Sequence, residues 1–313
     1  MKLPPIVLAS AGLLTAGLLT VGCGAAPAGS LGDAPAGGNT SPSQGSPRAS
    51  NPAGPTQPPA SPPSAAASPA SPTPSPTARA SLQAWFTRAG KLFVTERAVP
   101  ATTGVAKAAI GTLLAGPSAA EQAAGLRSQI PAGTALLGVR ISAGVATVDL
   151  SSSFESSASA ASMPLRIAQI VYTVTQFPSV RSVRFAINGQ GVTVLGGVPV
   201  QSPQTRAMDS GYLPAITVQS PTLGEQVSTA VTVAGTASVF EATVSIRVLD
   251  SAGHEIARTF TTATCGTGCR GDYSVAVSYS VPRTQRGVIE VFESSAKDGQ
   301  PVNVQRIPVT LTA

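Results

Sequence analysis

Histidine occurs once in these 313 residues, at His254, and tryptophan once, at Trp85. A single histidine removes most imidazole-dependent catalysis, and His254 falls where a turn runs into a strand, a place for an exposed structural residue. There is no Gly-x-Ser-x-Gly nucleophile elbow and no phosphate-cradling P-loop. Structural zinc takes four protein ligands and catalytic zinc three. Cys265, Cys269 and His254 fall short of such a set, so no metal and no cofactor are expected. Asp149 and Glu155 lie close in sequence, but the first ends a strand and the second sits in a serine-rich loop. Nothing there fixes the separation a glycosidase carboxylate pair needs. No catalytic residue is therefore assigned. Charged residues make up 11% and aromatics 4% of the chain, too few for broad charge networks or an aromatic-rich core.

What is present begins with Met1-Lys2, a positive end, followed by an apolar run closing on Leu18-Leu19-Thr20-Val21-Gly22-Cys23. This is the layout of a secretory signal peptide. Pro4-Pro5 interrupt it, and a membrane-spanning helix needs about 20 apolar residues. Thr20-Val21-Gly22-Cys23 resembles the lipobox of bacterial lipoproteins, with Thr20 where leucine is usual. The resemblance implies cleavage after Gly22, a diacylglyceryl group on the Cys23 thiol, and an extracytoplasmic protein held at the cell membrane. Residues 23–80 are Ala, Pro, Ser, Gly and Thr with few charges and no aromatic residue. Such a segment cannot bury enough apolar surface to offset its ordering entropy, and reads as a disordered tether. Its reach would lie between roughly 40 Å as a coil and about 170 Å fully extended. Its Ser/Thr/Pro content also suits O-glycosylation.

A chain this long allows about two domains. The first, over residues 81–200, starts at Trp85-Phe86. Lys91-Leu92-Phe93-Val94 reads as a strand. A helix follows over Gly104–Ala115, stopped by Gly116-Pro117. Ser118 and Glu121 have capping-box spacing for a second short turn. Ala135–Ser142 and Val145–Leu150 form a hairpin, with Leu137, Val139 and Ile141 on one face and Arg140 on the other. Met163, Ile167, Ile170, Val171, Val174 and Phe177 recur at three and four residues, the strongest helical signal in the chain. Val183, Phe185 and Ile187 then alternate into an Asn188-Gly189 turn. This order predicts an α+β domain, a mainly antiparallel sheet with helices on one face. Leu114-Ala115-Gly116-Pro117, Leu126–Thr134, Val145–Leu150, Thr173–Phe177 and Val183–Gly189 together resemble the GerMN domain of sporulation and spore-germination lipoproteins. The resemblance covers most of residues 90–200 and implies a fold and an envelope location, not a reaction.

Residues 201–212 read as a polar linker. From 213 to 313 the pattern is strands alone: Ile216–Val218, Val231–Val233, Thr243–Leu249, Glu255–Thr262, Tyr273–Val281, Val288–Phe292 and Gln305–Leu311, an all-β sandwich of about seven strands. Ser220-Pro221, Val233–Ala237 and Val239–Ala242 resemble the immunoglobulin-like domain of bacterial spore-germination-type proteins. With Cys23 acylated, export favours a disulfide between Cys265 and Cys269.

The net charge of +6 is unevenly placed. Residues 81–200 carry nine basic and four acidic side chains, residues 201–313 eight and nine. Arg140, Arg181 and Arg184 lie on or beside strands and point away from the core. They read either as a solvated sheet face or as a face for anionic lipid, wall polymer or an acidic partner. Nucleic acid is not an expected partner outside the membrane. Arg270-Gly271-Asp272 matches an integrin-binding tripeptide and is ascribed to chance. Three functions follow: a lipid-anchored, non-enzymatic binder or scaffold of envelope components; a cell-wall-active enzyme or its accessory; or a structural spacer.

Overall fold

The computed structural model describes residues 78–313. The signal-peptide and acylation expectations, Cys23 among them, and nearly all of the tether lie outside those residues. The fold starts with a hairpin, β1 (Arg79–Arg88) and β2 (Lys91–Pro100), paired in register from Arg79 with Pro100 to Arg88 with Lys91. Its two faces are both buried. Ala84, Phe86 and Phe93 join the main core, while Trp85, Leu92 and Val94 pack with Ala168, Tyr172 and Leu213. A strand covered on both sides has no reason to alternate. That explains the unbroken runs Trp85-Phe86 and Leu92-Phe93-Val94, and why β1 carries no strand signal.

Helix α1 (Val105–Leu114) follows, then α2 (Ala119–Ala123), whose capping box is fully formed by Ser118 and Glu121. β3 (Leu136–Ser142) and β4 (Val145–Leu150) pair antiparallel. α3 (Ser162–Val174) then crosses over to β5 (Ser182–Ile187), which runs parallel to β4, and β6 (Gln190–Val192) turns back on β5. A strand–helix–strand crossover produces a parallel pair, so the four-stranded sheet, in the order β3-β4-β5-β6, is mixed. Ala146, Val148, Leu150, Val183, Phe185 and Ile187 face a core shared with Ile110, Leu113, Met163, Ile167, Ile170 and Val174. β3 is an edge strand, and its apolar side chains are only partly covered: Leu137 is 52% and Ile141 42% exposed. A small hairpin, β7 (Val194–Leu195) and β8 (Val198–Pro199), ends this part.

Helix α3 also completes β1. Along the edge of β1 not paired with β2, the Gln83 N–H donates to Gln176 Oε1 (2.8 Å) and the Gln176 amide donates back to the Gln83 carbonyl (2.8 Å). The Trp85 N–H donates to Thr173 Oγ1 (3.2 Å), and Gln169 Nε2 donates to the Trp85 carbonyl (2.9 Å). Thr87 exchanges two backbone bonds with Arg127. Gln169, Thr173 and Gln176 stand four and three residues apart, so they form one helical stripe. This stripe does for β1 what a third strand would do.

The second domain has eight strands: β9 (Ile216–Ser220), β10 (Gln226–Val227), β11 (Val231–Ala237), β12 (Thr243–Leu249), β13 (Glu255–Thr262), β14 (Gly271–Val277), β15 (Gln285–Ser294) and β16 (Pro301–Leu311). They make a five-stranded sheet, β10-β16-β15-β12-β13, over a three-stranded one, β14-β11-β9. Between the sheets lie Ile216, Val233, Val244, Ile246, Val248, Ile289, Val291, Ile307 and Leu311. Tyr273 and Tyr279 bury their rings in this core and donate their hydroxyls to the Thr217 and Val227 carbonyls. Burial lifts the Tyr273 hydroxyl above the ordinary tyrosine range.

Residues 201–212, expected as a polar linker, join the two domains while packed down. Gln204 bridges to Val183 through two backbone hydrogen bonds. Arg206 donates to Thr175 Oγ1 and the Tyr172 carbonyl. Lys91 Nζ reaches the Gly211 carbonyl at 2.7 Å, and Arg88 reaches Gln305 Oε1 at 2.8 Å. From the second domain, Arg270 donates to the Pro214 carbonyl and to Thr236. The arginine of the Arg270-Gly271-Asp272 tripeptide is thus engaged at the junction.

Candidate anion-binding face

Most basic side chains of the first domain are held by internal acceptors. Arg97 forms a bidentate pair with Glu121, which is 4% exposed. Burial raises the Glu121 carboxyl, but bonds from Arg97 and the Ser118 N–H outweigh it and leave the group below its ordinary value. Arg166 is buried and donates to the carbonyls of Phe154, Ser156 and Ser157. Arg127 donates to the carbonyls of Gln122 and Leu126.

The arginines of the sheet are differently placed. Arg140 on β3 pairs with Thr147 on β4, and Thr147 pairs with Arg184 on β5. Directly paired residues project from the same side of a sheet. Arg140, Thr147 and Arg184 therefore form one cross-strand row on the face opposite the helices. Two strand spacings separate the arginine backbones by about 9.5 Å. Both arginines are exposed. Among the described residues no carboxylate oxygen lies within 4.0 Å of Arg140, Arg181 or Arg184.

Arg181 sits at the end of the same sheet. It donates to the Ala143 carbonyl at 3.3 Å, and its guanidinium fills the space where a Cβ on Gly144 would stand. Arg181 therefore borders the row without belonging to it.

One row further along, Gly138 pairs with Asp149, Asp149 with Ala186, and Ala186 with Gly191. Small residues leave this row low, producing an open depression of about 380 Å³ lined by Gly138, Arg140, Thr147, Asp149, Ala186 and Gly189. Asp149 Oδ1 accepts the Gly189 N–H at 2.9 Å. Glu155, its near neighbour in sequence, accepts the Gly196 N–H at 2.8 Å. Each carboxylate thus holds a turn.

His254 is exposed, with Nδ1 3.4 Å from Asp250 Oδ2. Backbone hydrogen bonding from His254 and Ala252 keeps the Asp250 carboxyl below its ordinary value. Cys265 and Cys269 are joined as a disulfide closing a short loop before β14. No group of three or more His, Cys, Asp or Glu placed to hold a metal occurs among the described residues. Thr147 was not singled out in the sequence, although its place between Ala146 and Val148, both inward, marks it as outward.

Residues 85–193 match the family described as "Sporulation and spore germination" and residues 215–300 the "Immunoglobulin-like domain of bacterial spore germination". No curated protein matches the chain. Among solved structures, the tandem GerMN domains of the sporulation protein GerM from Bacillus subtilis align at 15% identity and a TM-score of 0.37, over 75% of this chain. The chain spans 61% of that structure's length. The first GerMN domain of the same protein aligns at 21% identity and a TM-score of 0.34, over 41% of this chain and 98% of that one.

Proposed function

For a chain that carries a sporulation and spore germination domain followed by the immunoglobulin-like domain of bacterial spore germination, we propose a non-enzymatic, extracytoplasmic binding protein, anchored by lipid at Cys23, whose first domain holds a phosphate-bearing envelope component. The observation that carries the reading is the row Arg140–Thr147–Arg184, two exposed guanidinium groups with no carboxylate partner among the described residues. A guanidinium offers a planar fork of donors suited to phosphate oxygens, and Thr147 adds a hydroxyl between the two forks. Exposed charge of this kind is screened over about 8 Å at physiological salt, so the binding is weak and salt-sensitive.

The test uses the full chain carrying Cys23→Ala, which removes the acyl contribution to sedimentation. It is spun with vesicles of anionic lipid and, separately, with isolated cell wall, at low and high salt. Binding at low salt that falls on Arg140→Gln with Arg184→Gln supports the reading, and the two arms distinguish a lipid headgroup from a wall polymer. Unchanged binding in the double variant, or none at low salt, returns the face to plain solvation. Release of muropeptides from the wall by the purified chain would favour the enzyme reading instead. In cells, Cys23→Ala is expected to abolish fatty-acid labelling and release or mislocalise the protein.

A further inference from the structure

Two acceptors are buried side by side in the segment that joins the domains. Gln204 is 8% exposed and Asp209 3%. Gln204 Nε2 donates to Asp209 Oδ1 at 2.9 Å. The other oxygen of each group, Gln204 Oε1 and Asp209 Oδ2, is buried without a hydrogen-bond partner. Among the described residues no basic group lies within 4.0 Å of the Asp209 carboxylate. An ionised Asp209 would therefore be a buried anion with one neutral donor, next to an amide oxygen with none, an arrangement proteins avoid.

One proton resolves both defects. A carboxylic acid donates where a carboxylate can only accept. With the proton on Oδ2, that oxygen can donate to Gln204 Oε1 while Gln204 Nε2 donates to Oδ1. The acid and the amide then close a ring of two hydrogen bonds. We propose that Asp209 is held as the neutral acid in such a pair with Gln204, and that this pair is an acid-closing latch fastening the joining segment to the first domain. The reading of the arginine face is not needed for it.

The surroundings fit a latch. The backbone of Gln204 is bonded to β5 at Val183, the Asp209 carbonyl accepts from Tyr212, and Leu213 enters the Trp85–Tyr172 cluster. The ionisable groups around Asp209 are accounted for. Arg206 is turned to Thr175 and the Tyr172 carbonyl, with its guanidinium 4.8 Å from the Tyr172 ring centroid. Tyr172 donates its hydroxyl to the Arg206 carbonyl, and Lys91 is committed to Gly211 and Arg270 to Pro214. Desolvation by burial pushes the Asp209 carboxyl up to about 6, against the opposing effect of the Gln204 hydrogen bond. The folded value exceeds the ordinary 3.8. The folded state therefore holds the proton that the unfolded chain has lost, and stability falls as pH rises from about 4 to about 6. Above that interval Asp209 ionises, and the segment between Gln204 and Leu213 loosens.

The test is the pH dependence of the full chain, with and without Asp209→Asn. Asparagine is neutral at every pH and can offer Gln204 the same donor and acceptor. The expected result is a wild-type Tm that drops between pH 4 and 6.5. Protection of the Val183 and Gln204 amides, corrected for intrinsic exchange, drops with it. Asp209→Asn should be flat over that range and more stable than wild type at pH 7.5. If Asp209→Asn is less stable at pH 7.5, the carboxylate is ionised and bridged to Gln204 by water, and the latch is wrong. A carbon-13 titration of the Asp209 carboxyl in the unaltered chain decides the matter without any variant: a midpoint at or below 4.5 overturns the proposal, and one near 6 supports it.

Discussion

Replacing Gln169 by leucine tests whether α3 stands in for a missing strand. The side chain is fully buried and serves two backbone groups, accepting the Gln129 N–H and donating to the Trp85 carbonyl, each at 2.9 Å. Leucine is close in volume and favours a helix, so the change makes neither a large cavity nor a helix break. It leaves two backbone groups without partners, the Trp85 carbonyl fully buried and the Gln129 N–H partly so. Each such loss costs about 1–3 kcal/mol, and the apolar gain of leucine offsets part of it. A net loss of about 3 kcal/mol follows, a large share of the roughly 5–15 kcal/mol that holds a domain together. For a folded region of this size that is a fall in Tm of roughly 10 °C. Gln176→Leu is the control. It removes the same chemistry from Gln83, but this pair is only part-buried, so water can replace the amide and the loss should be about 1 kcal/mol. Urea unfolding of the full chain, read for the midpoint at constant slope, measures both. If Gln169→Leu is as stable as wild type, or Gln176→Leu costs more, the stripe is not what satisfies β1.

Two further outcomes are expected. Glu121→Gln weakens the pairing with Arg97 and should lower stability by about 2 kcal/mol at neutral pH; because the folded carboxyl lies below its ordinary value, the stability it adds is present above about 4.5 and is lost as pH falls through the folded value, so the variant should show a shallower acid limb in a Tm-against-pH series. Cys265 and Cys269 should resist alkylation in the exported protein until a reductant is added, and since the loop they close is short, reduction should cost only about 2 kcal/mol in urea unfolding.

The parts of this fold that were legible in the sequence are those where one face of an element is wet. Ala146, Val148 and Leu150 alternate with Val145, Thr147 and Asp149 because β4 has a core side and an open side, and the register built on them puts Arg140 and Arg184 on one face. Ser118 and Glu121 announced α2 because the capping box is a local interaction. Where both faces are buried the period vanishes, and β1 went unread. Leu137 and Ile141 read as core, yet a register shift puts Leu136, not Leu137, opposite the inward Leu150, and Ile141 lies on an edge strand, so both are largely exposed. Gln169 and Thr173 are polar residues among the apolar positions of α3; their partners, Trp85 and Gln129, are distant in sequence, and no local rule points to them. Gln204 and Asp209 belong to a stretch whose composition is that of a loop, and only the packing of that stretch onto β5 and α3 buries them.

The zippered edge of β1 also has a mechanical meaning. Arg79 is where the preceding chain enters the fold, so any tension arriving along that chain is delivered to β1 before anything else. A strand held on one edge peels away one bond pair at a time. From Gln83 to Thr87 β1 is held along both, by β2 on one side and by Gln176, Thr173, Gln169 and Arg127 on the other, so drawing out that stretch requires two rows to fail together. The load would also pass from β1 straight into α3, the most deeply buried helix of the domain, and from there into the sheet that carries Arg140 and Arg184. A pull on one end of this protein is thus spread through its core before it reaches the arginine face.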